Sequence, residues 1–137
     1  MATRVLKFEG WHLDLIAVQP MQKAELAKVT PMLRLEIERQ DSWTLEFEGR
    51  LLVCGGAIPL VSGCRALVWC YMAEVGAADF WKVHRAVRAK IDEFATKYPR
   101  LEMEVVKGFE AGRRWAKALG FREEPMGGSH ELYVRLR

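Results

Sequence analysis

Residues 43–48, WTLEFE, alternate in character: Trp43, Leu45 and Phe47 are apolar, while Thr44, Glu46 and Glu48 are polar. A period of two predicts a strand with one wet face. Gly49-Arg50 supplies a turn, and LLVCGGAIPL returns as the partner strand, with Gly55-Gly56 marking a bulge or a close backbone approach. Behind Ser62-Gly63, ALVWCYM is apolar throughout and predicts a central strand covered on both faces. The period then changes. Phe80, Val83, Val87, Ile91, Phe94 and Tyr98 recur at helical spacing and form one stripe, with Asp79 as N-cap and Tyr98-Pro99 as the stop. Burial of each such side chain contributes roughly 1.5–3 kcal/mol, so this helix must dock on the sheet.

The two ends of the chain follow the same logic. TRVLKF predicts a strand that turns at Glu9-Gly10 into an extended WHLDLIAVQ, which Pro20 ends. MQKAELAKV has helical spacing through Met21, Leu26 and Val29, and MLRLEIERQ predicts a second short helix with Met32, Leu33 and Ile37 on one side. After the long helix, LEMEVV alternates as a strand, with Glu102 and Glu104 opposite Leu101, Met103 and Val105. GFEAGRRWAKALGF predicts a helix whose Ala111, Trp115, Ala118 and Leu119 face a core. Gly120 takes the left-handed position that ends it, and Phe121 folds back onto the apolar face. ELYVRLR is a last strand entered through Gly127-Gly128-Ser129. The elements amount to one mixed α/β domain, residues 1–137, with residues 1–10 as an N-terminal strand or extension.

Composition narrows the class of protein. The chain has 137 residues, half of them hydrophobic and 28% charged, which is globular rather than disordered. Its formal charge of +3 comes from dispersed basic residues without interleaved aromatics, so a nucleic-acid binder rests on charge alone. Cys54, Cys64 and Cys70 are odd in number and lack CxxC spacing. They imply no disulfide framework or zinc site and fit a reducing cytoplasm. His12, His84 and His130 have no ligand spacing, so no metal is expected. No signal sequence is evident and no apolar run nears the ~20 residues that span a bilayer, so no membrane partner is expected.

The order strand–turn–strand, central strand, long helix, strand, short helix ending Leu-Gly-Phe, final strand resembles the GCN5-related N-acetyltransferase (GNAT) superfamily over residues 11–137. WAKALGF resembles that family's closing helix: a hydrophobic position, a lysine turn, then Leu-Gly-Phe. VQPMQKAEL resembles its first strand and first helix. More narrowly, TLEFEGRLLVCGG, ALVWCYM before a long basic helix ending in TKYP, and ALGFREE are similar to small GNAT-like proteins of short-tailed bacteriophages, the internal virion protein A group. The resemblance implies a mostly antiparallel, twisted sheet flanked by helices. Its central strands, here Ala66–Met72 and Leu101–Val106, splay apart to admit the arm of acetyl-CoA.

On that resemblance the cofactor contacts fall on Cys70, Tyr71 and Met72, on Val75, Gly76, Ala77 and Ala78 of the following loop, and on Lys82 and Arg85 of the long helix. Lys82, His84, Arg85 and Arg88 crowd the N-terminal half of that helix while Asp92 and Glu93 lie toward its C-terminal half, against the macrodipole. A bound phosphate accounts for this pattern, and so does a plain solvated basic face. The candidate bases are Glu74, Glu104, Glu102 and Tyr71. Alternating strand carboxylates are usually a wet face. Cys70 without a histidine partner reads as structural. The loop lacks the family's Arg or Gln with spaced glycines. Phe109 replaces the usual Asn, and Ala116 replaces the tyrosine that protonates the leaving thiolate.

Two functions compete on these residues. One is an acetyl-CoA-dependent N-acetyltransferase acting on an amine, in the phage setting one carried by a host protein. The other is a catalytically degenerate GNAT-like domain that docks on a host protein or within the virion, through apolar surface near Trp11, Trp43 or Trp81. Either way the expected form is a monomer or homodimer in the cytoplasm of the cell that makes it, with a place in the virion as the variant setting.

Overall fold

A computed structural model describes residues 3–60 and 63–137. Its strands, β1 (Arg4–Lys7), β2 (Asp41–Phe47), β3 (Arg50–Pro59), β4 (Arg65–Met72), β5 (Arg100–Val106), β6 (Arg122–Glu124) and β7 (His130–Leu136), form one sheet in the order β1-β2-β3-β4-β5-β7-β6. The helices are α1 (His12–Leu15), α2 (Lys23–Ala27), α3 (Pro31–Arg39), α4 (Ala77–Lys97) and α5 (Glu110–Ala118), with a 3₁₀ turn over Pro20–Gln22. Pairing is antiparallel for β1–β2, β2–β3, β5–β7 and β6–β7, and parallel for β4–β5. The parallel ladder joins only Arg65, Ala66 and Leu67 to Arg100, Leu101 and Glu102.

The chain divides into two compact units that interleave in sequence. One comprises residues 1–57 and 70–87, the other residues 58–69 and 88–137. In the first unit the alternation of WTLEFE does not produce a wet face. Thr44 is fully buried because His12 lies on it. His12 Nδ1 accepts from the Glu9 N–H at 3.2 Å and sits 2.7 Å from Thr44 Oγ1. With Nδ1 as acceptor the ring proton belongs on Nε2, and burial lowers the imidazole pKa. The expected strand over residues 11–19 is therefore a turn of helix followed by a single bridge, Val18 to Ala73. Partners distant in sequence hold it there. Arg34 of α3 reaches the Asp14 carboxylate at 2.8 Å, and Glu38 accepts the Gly10 N–H at 2.8 Å.

Other expectations shift for equally local reasons. Glu48 and Gly49, both at positive φ, make the β2–β3 turn, one residue earlier than Gly49-Arg50. The register irregularity falls at Leu45/Glu46, while Gly55 and Gly56 lie opposite Trp43 and Ser42. On α3 only Ile37 is buried, and Met32 and Leu33 are exposed. Strand β4 buries Ala66, Val68 and Met72, but its other face, Leu67, Trp69 and Tyr71, is only half-buried. Ser62 of the expected Ser62-Gly63 turn lies outside the described residues.

The second unit matches the periodicity more closely. Val83, Val87, Ile91 and Phe94 are buried along α4, the first two at the end of α4 that belongs to the first unit. Helix α5 buries Ala116 and, just beyond it, Leu119 and Phe121, whereas Ala111 and Ala118 are exposed. Gly120 sits at φ +93°, with its N–H on the Lys117 carbonyl and the Phe121 N–H on the Ala116 carbonyl, so the chain reverses on glycine as expected. Inside α5, a Cβ on Gly112 would lie 2.7 Å from Phe109 Cδ2 and 3.1 Å from Val105 Cγ1. The Phe109 ring thus fills the space of a side chain at position 112.

Gly112→Ala is therefore expected to destabilise the protein by about 1–3 kcal/mol through overpacking, against the usual helix gain of an alanine. Adding Phe109→Ala should restore the gain. Thermal melts of the single and double variants check this, and an unchanged or raised melting temperature for Gly112→Ala alone would refute it.

Candidate functional site

The end of β4, the corner after it and the first turns of α4 all belong to the first unit. Strand β4 ends at Met72, and the Ala73 N–H donates to the Leu52 carbonyl of β3 at 2.8 Å. The chain then turns through Glu74, Val75 and Gly76 into α4. The Gly76 carbonyl accepts from both Asp79 and Phe80 N–H groups, at 3.1 and 2.9 Å. Gly76 therefore caps the helix, and Asp79, expected as the N-cap, stands inside the first turn. Among the described residues, the N–H groups of Gly76, Ala77 and Ala78 find no backbone acceptor, as helix geometry requires of a first turn. All three residues are exposed, and nothing lies within 4 Å of where a Gly76 side chain would begin. An anion can reach this backbone.

Cations stand around the same corner. Lys82 Nζ lies 4.7 Å above the Phe47 ring and 3.9 Å from Asp79 Oδ1. Arg85 is exposed and makes no ion pair to a described residue. Arg50, at the start of β3, donates to the Glu74 carbonyl. That brings a guanidinium to the loop from a position the sequence pattern marked only as part of a turn. The rest of the charge pattern on α4 has internal partners, which weakens it as a sign of phosphate. Arg88 donates to the Ala118 carbonyl at 3.1 Å, and Asp92 accepts from Arg135 at 2.8 Å. His84 is half-buried, stacked on Phe80 and edge-on to Trp81.

The candidate proton carriers differ sharply. Burial, reinforced by Glu25 and Cys70, pushes the Tyr71 phenol up to about 12. At neutral pH it is a proton donor, and the role of base expected for it does not suit it. Glu74, three residues further on, is exposed. Burial also raises the Cys70 thiol, with Cys54 adding to the effect, and lifts the Cys54 thiol to about 11. Both are poor nucleophiles. In the second unit Glu102 is buried, which pushes its carboxyl upward. Arg100 at 2.8 Å and Arg65 at 3.1 Å outweigh that and hold it below the ordinary range. It is a structural ion, not a base. Glu104 is exposed on β5 opposite Leu132 and belongs to the second unit, whereas Tyr71 and Glu74 belong to the first. Ala116 is buried, and a tyrosine there would have to displace core.

No family model matches the sequence, and no curated protein matches it. Solved structures do. A GNAT-family acetyltransferase from Bacillus anthracis is 13% identical and superposes with a TM-score of 0.64, over 99% of this chain and 95% of that one. The fold is that of the GNAT acetyltransferases. The PaiA N-acetyltransferase of Thermoplasma acidophilum, in complex with coenzyme A, is 10% identical with a TM-score of 0.67 over the whole of both chains. The N-acetylglutamate synthase of Neisseria gonorrhoeae, complexed with coenzyme A and N-acetylglutamate, is 15% identical with a TM-score of 0.73. It matches 99% of this chain with 35% of its own length. Among the described residues, no three His, Cys, Asp or Glu side chains gather as a metal site, and no helix is long and apolar enough to cross a membrane.

The thiols give a direct check on the site's electrostatics. At pH 8 only the exposed Cys64 is expected to react within minutes with a disulfide reagent, while Cys54 and Cys70 wait for unfolding. Rapid modification of Cys70 in the folded protein, located by peptide mass, would contradict the description.

Proposed function

We propose that the chain is an N-acetyltransferase that takes acetyl-CoA and passes its acetyl group to an amine. The observation that carries this is the corner at Gly76–Ala78, where unpaired backbone N–H groups and small side chains lie on the GNAT fold near the cations Lys82 and Arg50, with Arg85 exposed further along α4. Such a corner suits the pyrophosphate of acetyl-CoA, because helix-terminal N–H groups and the dipole both favour anions. The residues fit the group: Gly76, Ala77 and Ala78 would bond phosphate oxygens, and Lys82 and Arg85 would neutralise them. Cys70, Tyr71, Met72 and Val75 would flank its arm.

Acetyl-CoA, when bound, supplies an activated thioester carbonyl whose C–S bond breaks as an incoming amine forms its C–N bond. The chain's own part is to hold the amine in line and to manage two protons. Tyr71, kept protonated, can hydrogen-bond to or protonate the departing sulfur. Glu74, exposed at the same corner, can take the amine's proton directly or through water. By resemblance to the small phage proteins, the acceptor is an amine on a host protein.

A second reading is a domain of this fold that binds without turnover. The buried Ala116 in place of the expected tyrosine favours it, and the exposed Trp11 and Trp81 offer contact surface, whereas Trp43 is buried and does not.

Calorimetric titration with acetyl-CoA separates these. Saturable binding is expected, weakened about tenfold or more when Lys82 and Arg85 are both changed to Ala. Acetylated lysines in a treated host lysate, read by mass spectrometry, mark the enzyme, while binding without acetylation marks the second reading. No heat at millimolar acetyl-CoA would overturn the proposal.

A further inference from the structure

Beyond Leu67, one edge of β4 is filled by a side chain. Backbone groups along a strand address alternate edges. The Arg65 carbonyl accepts from the Leu60 N–H and the Ala73 N–H donates to the Leu52 carbonyl, so the odd-numbered residues of β4 address β3. Cys70 and Met72 therefore address the opposite edge. There the Gln22 carboxamide makes both available bonds: Nε2 donates to the Cys70 carbonyl at 2.8 Å, and Oε1 accepts from the Met72 N–H at 2.8 Å. The Met72 carbonyl next accepts from the Gln19 N–H at 3.1 Å, and the bridge between Val18 and Ala73 continues the strap.

Donating to residue i−1 and accepting from residue i+1 is the pattern of a parallel neighbour strand. Gln22 supplies it with one amide. The arm of an acyl-CoA carries two amides of its own, each a donor and an acceptor, and a strand edge with a free carbonyl and N–H is where such an arm docks.

We infer that Gln22 is an internal stand-in for an amide of the acyl-CoA arm, bonding Cys70 and Met72 in the free protein and releasing them when the arm enters. This rests on the acetyl-CoA reading of the site and adds a gate to it. A part-buried carbonyl and N–H left unbonded are costly, so the gate favours a ligand that replaces both bonds. An arm lacking a donor or an acceptor at that spacing meets a closed edge. The same exchange sets the affinity: the protein surrenders two hydrogen bonds for the two it gains.

The experiment uses the full chain with coenzyme A as the probe, comparing the parent with Gln22→Ala and Gln22→Glu. Affinity is read by calorimetry, and the Met72 amide by hydrogen exchange. Gln22→Ala is expected to speed Met72 exchange in the absence of coenzyme A, to regain protection on binding, and to bind about tenfold more tightly than the parent. Gln22→Glu keeps the acceptor for Met72 and loses the donor to Cys70, so its affinity should fall between the two. It carries the test if the alanine variant melts too early to titrate. Parent and variants binding equally, or the variants more weakly, would overturn the gate while leaving the cofactor site standing. Unchanged Met72 exchange in Gln22→Ala would likewise overturn it. Absence of binding in the parent and both variants would sink the acetyl-CoA reading itself, and the gate with it.

Discussion

The backbone polar groups of β4 must all find partners, and its ladder with β5 supplies them for only three residues. A buried N–H or carbonyl without a partner costs about 1–3 kcal/mol, so the chain beyond Leu67 cannot simply be left bare. Each feature of the candidate site is a local answer to that demand. Ala73 bonds back to β3, Gln22 and Gln19 take the outer edge at Cys70 and Met72, and Arg50 takes the Glu74 carbonyl. The Gly76 carbonyl closes the first turn of α4. Among the described residues, the N–H groups of Gly76, Ala77 and Ala78 at the mouth of α4 find no backbone acceptor, and a helix N-terminus is suited to an anion.

In the second unit the polar and small residues are committed to packing and ion pairs. Helix α5 is built to pack: Ala116 is buried, Gly112 gives way to the Phe109 ring, and Gly120 turns Phe121 into the core. Arg113 is committed to the Tyr133 hydroxyl at 3.1 Å and to Glu110. Glu102 is locked between Arg65 and Arg100. None of these groups is at liberty to move a proton. In the first unit Tyr71 is a phenol held protonated by burial, and Glu74 is an exposed carboxyl group.

Much of this was legible in the residues alone, and the exceptions share a cause. The α4 stripe and the Leu-Gly-Phe ending were readable because helical period and a left-handed glycine are local properties. So was the open corner at Gly76–Ala78, since small residues before a long helix mark it. WHLDLIAVQ misled because its alternation fits a strand, while Arg34 and Glu38, twenty or more residues away, pin its start as a helical turn. Thr44 looked wet because the histidine that covers it lies 32 residues earlier. Arg50 and Gln22 gave no signal at all. Each is an ordinary polar residue in its own neighbourhood, and each gains its role from a hydrogen bond spanning 24 and 48 residues respectively.

The central claim is that the mouth of α4 receives the phosphates of acetyl-CoA, and amide chemical shifts test it most directly. In a titration followed by nitrogen–proton correlation spectra, the largest shifts should fall on Gly76, Ala77 and Ala78. Saturation that leaves those three amides unmoved, with the changes elsewhere in the chain, would contradict the account.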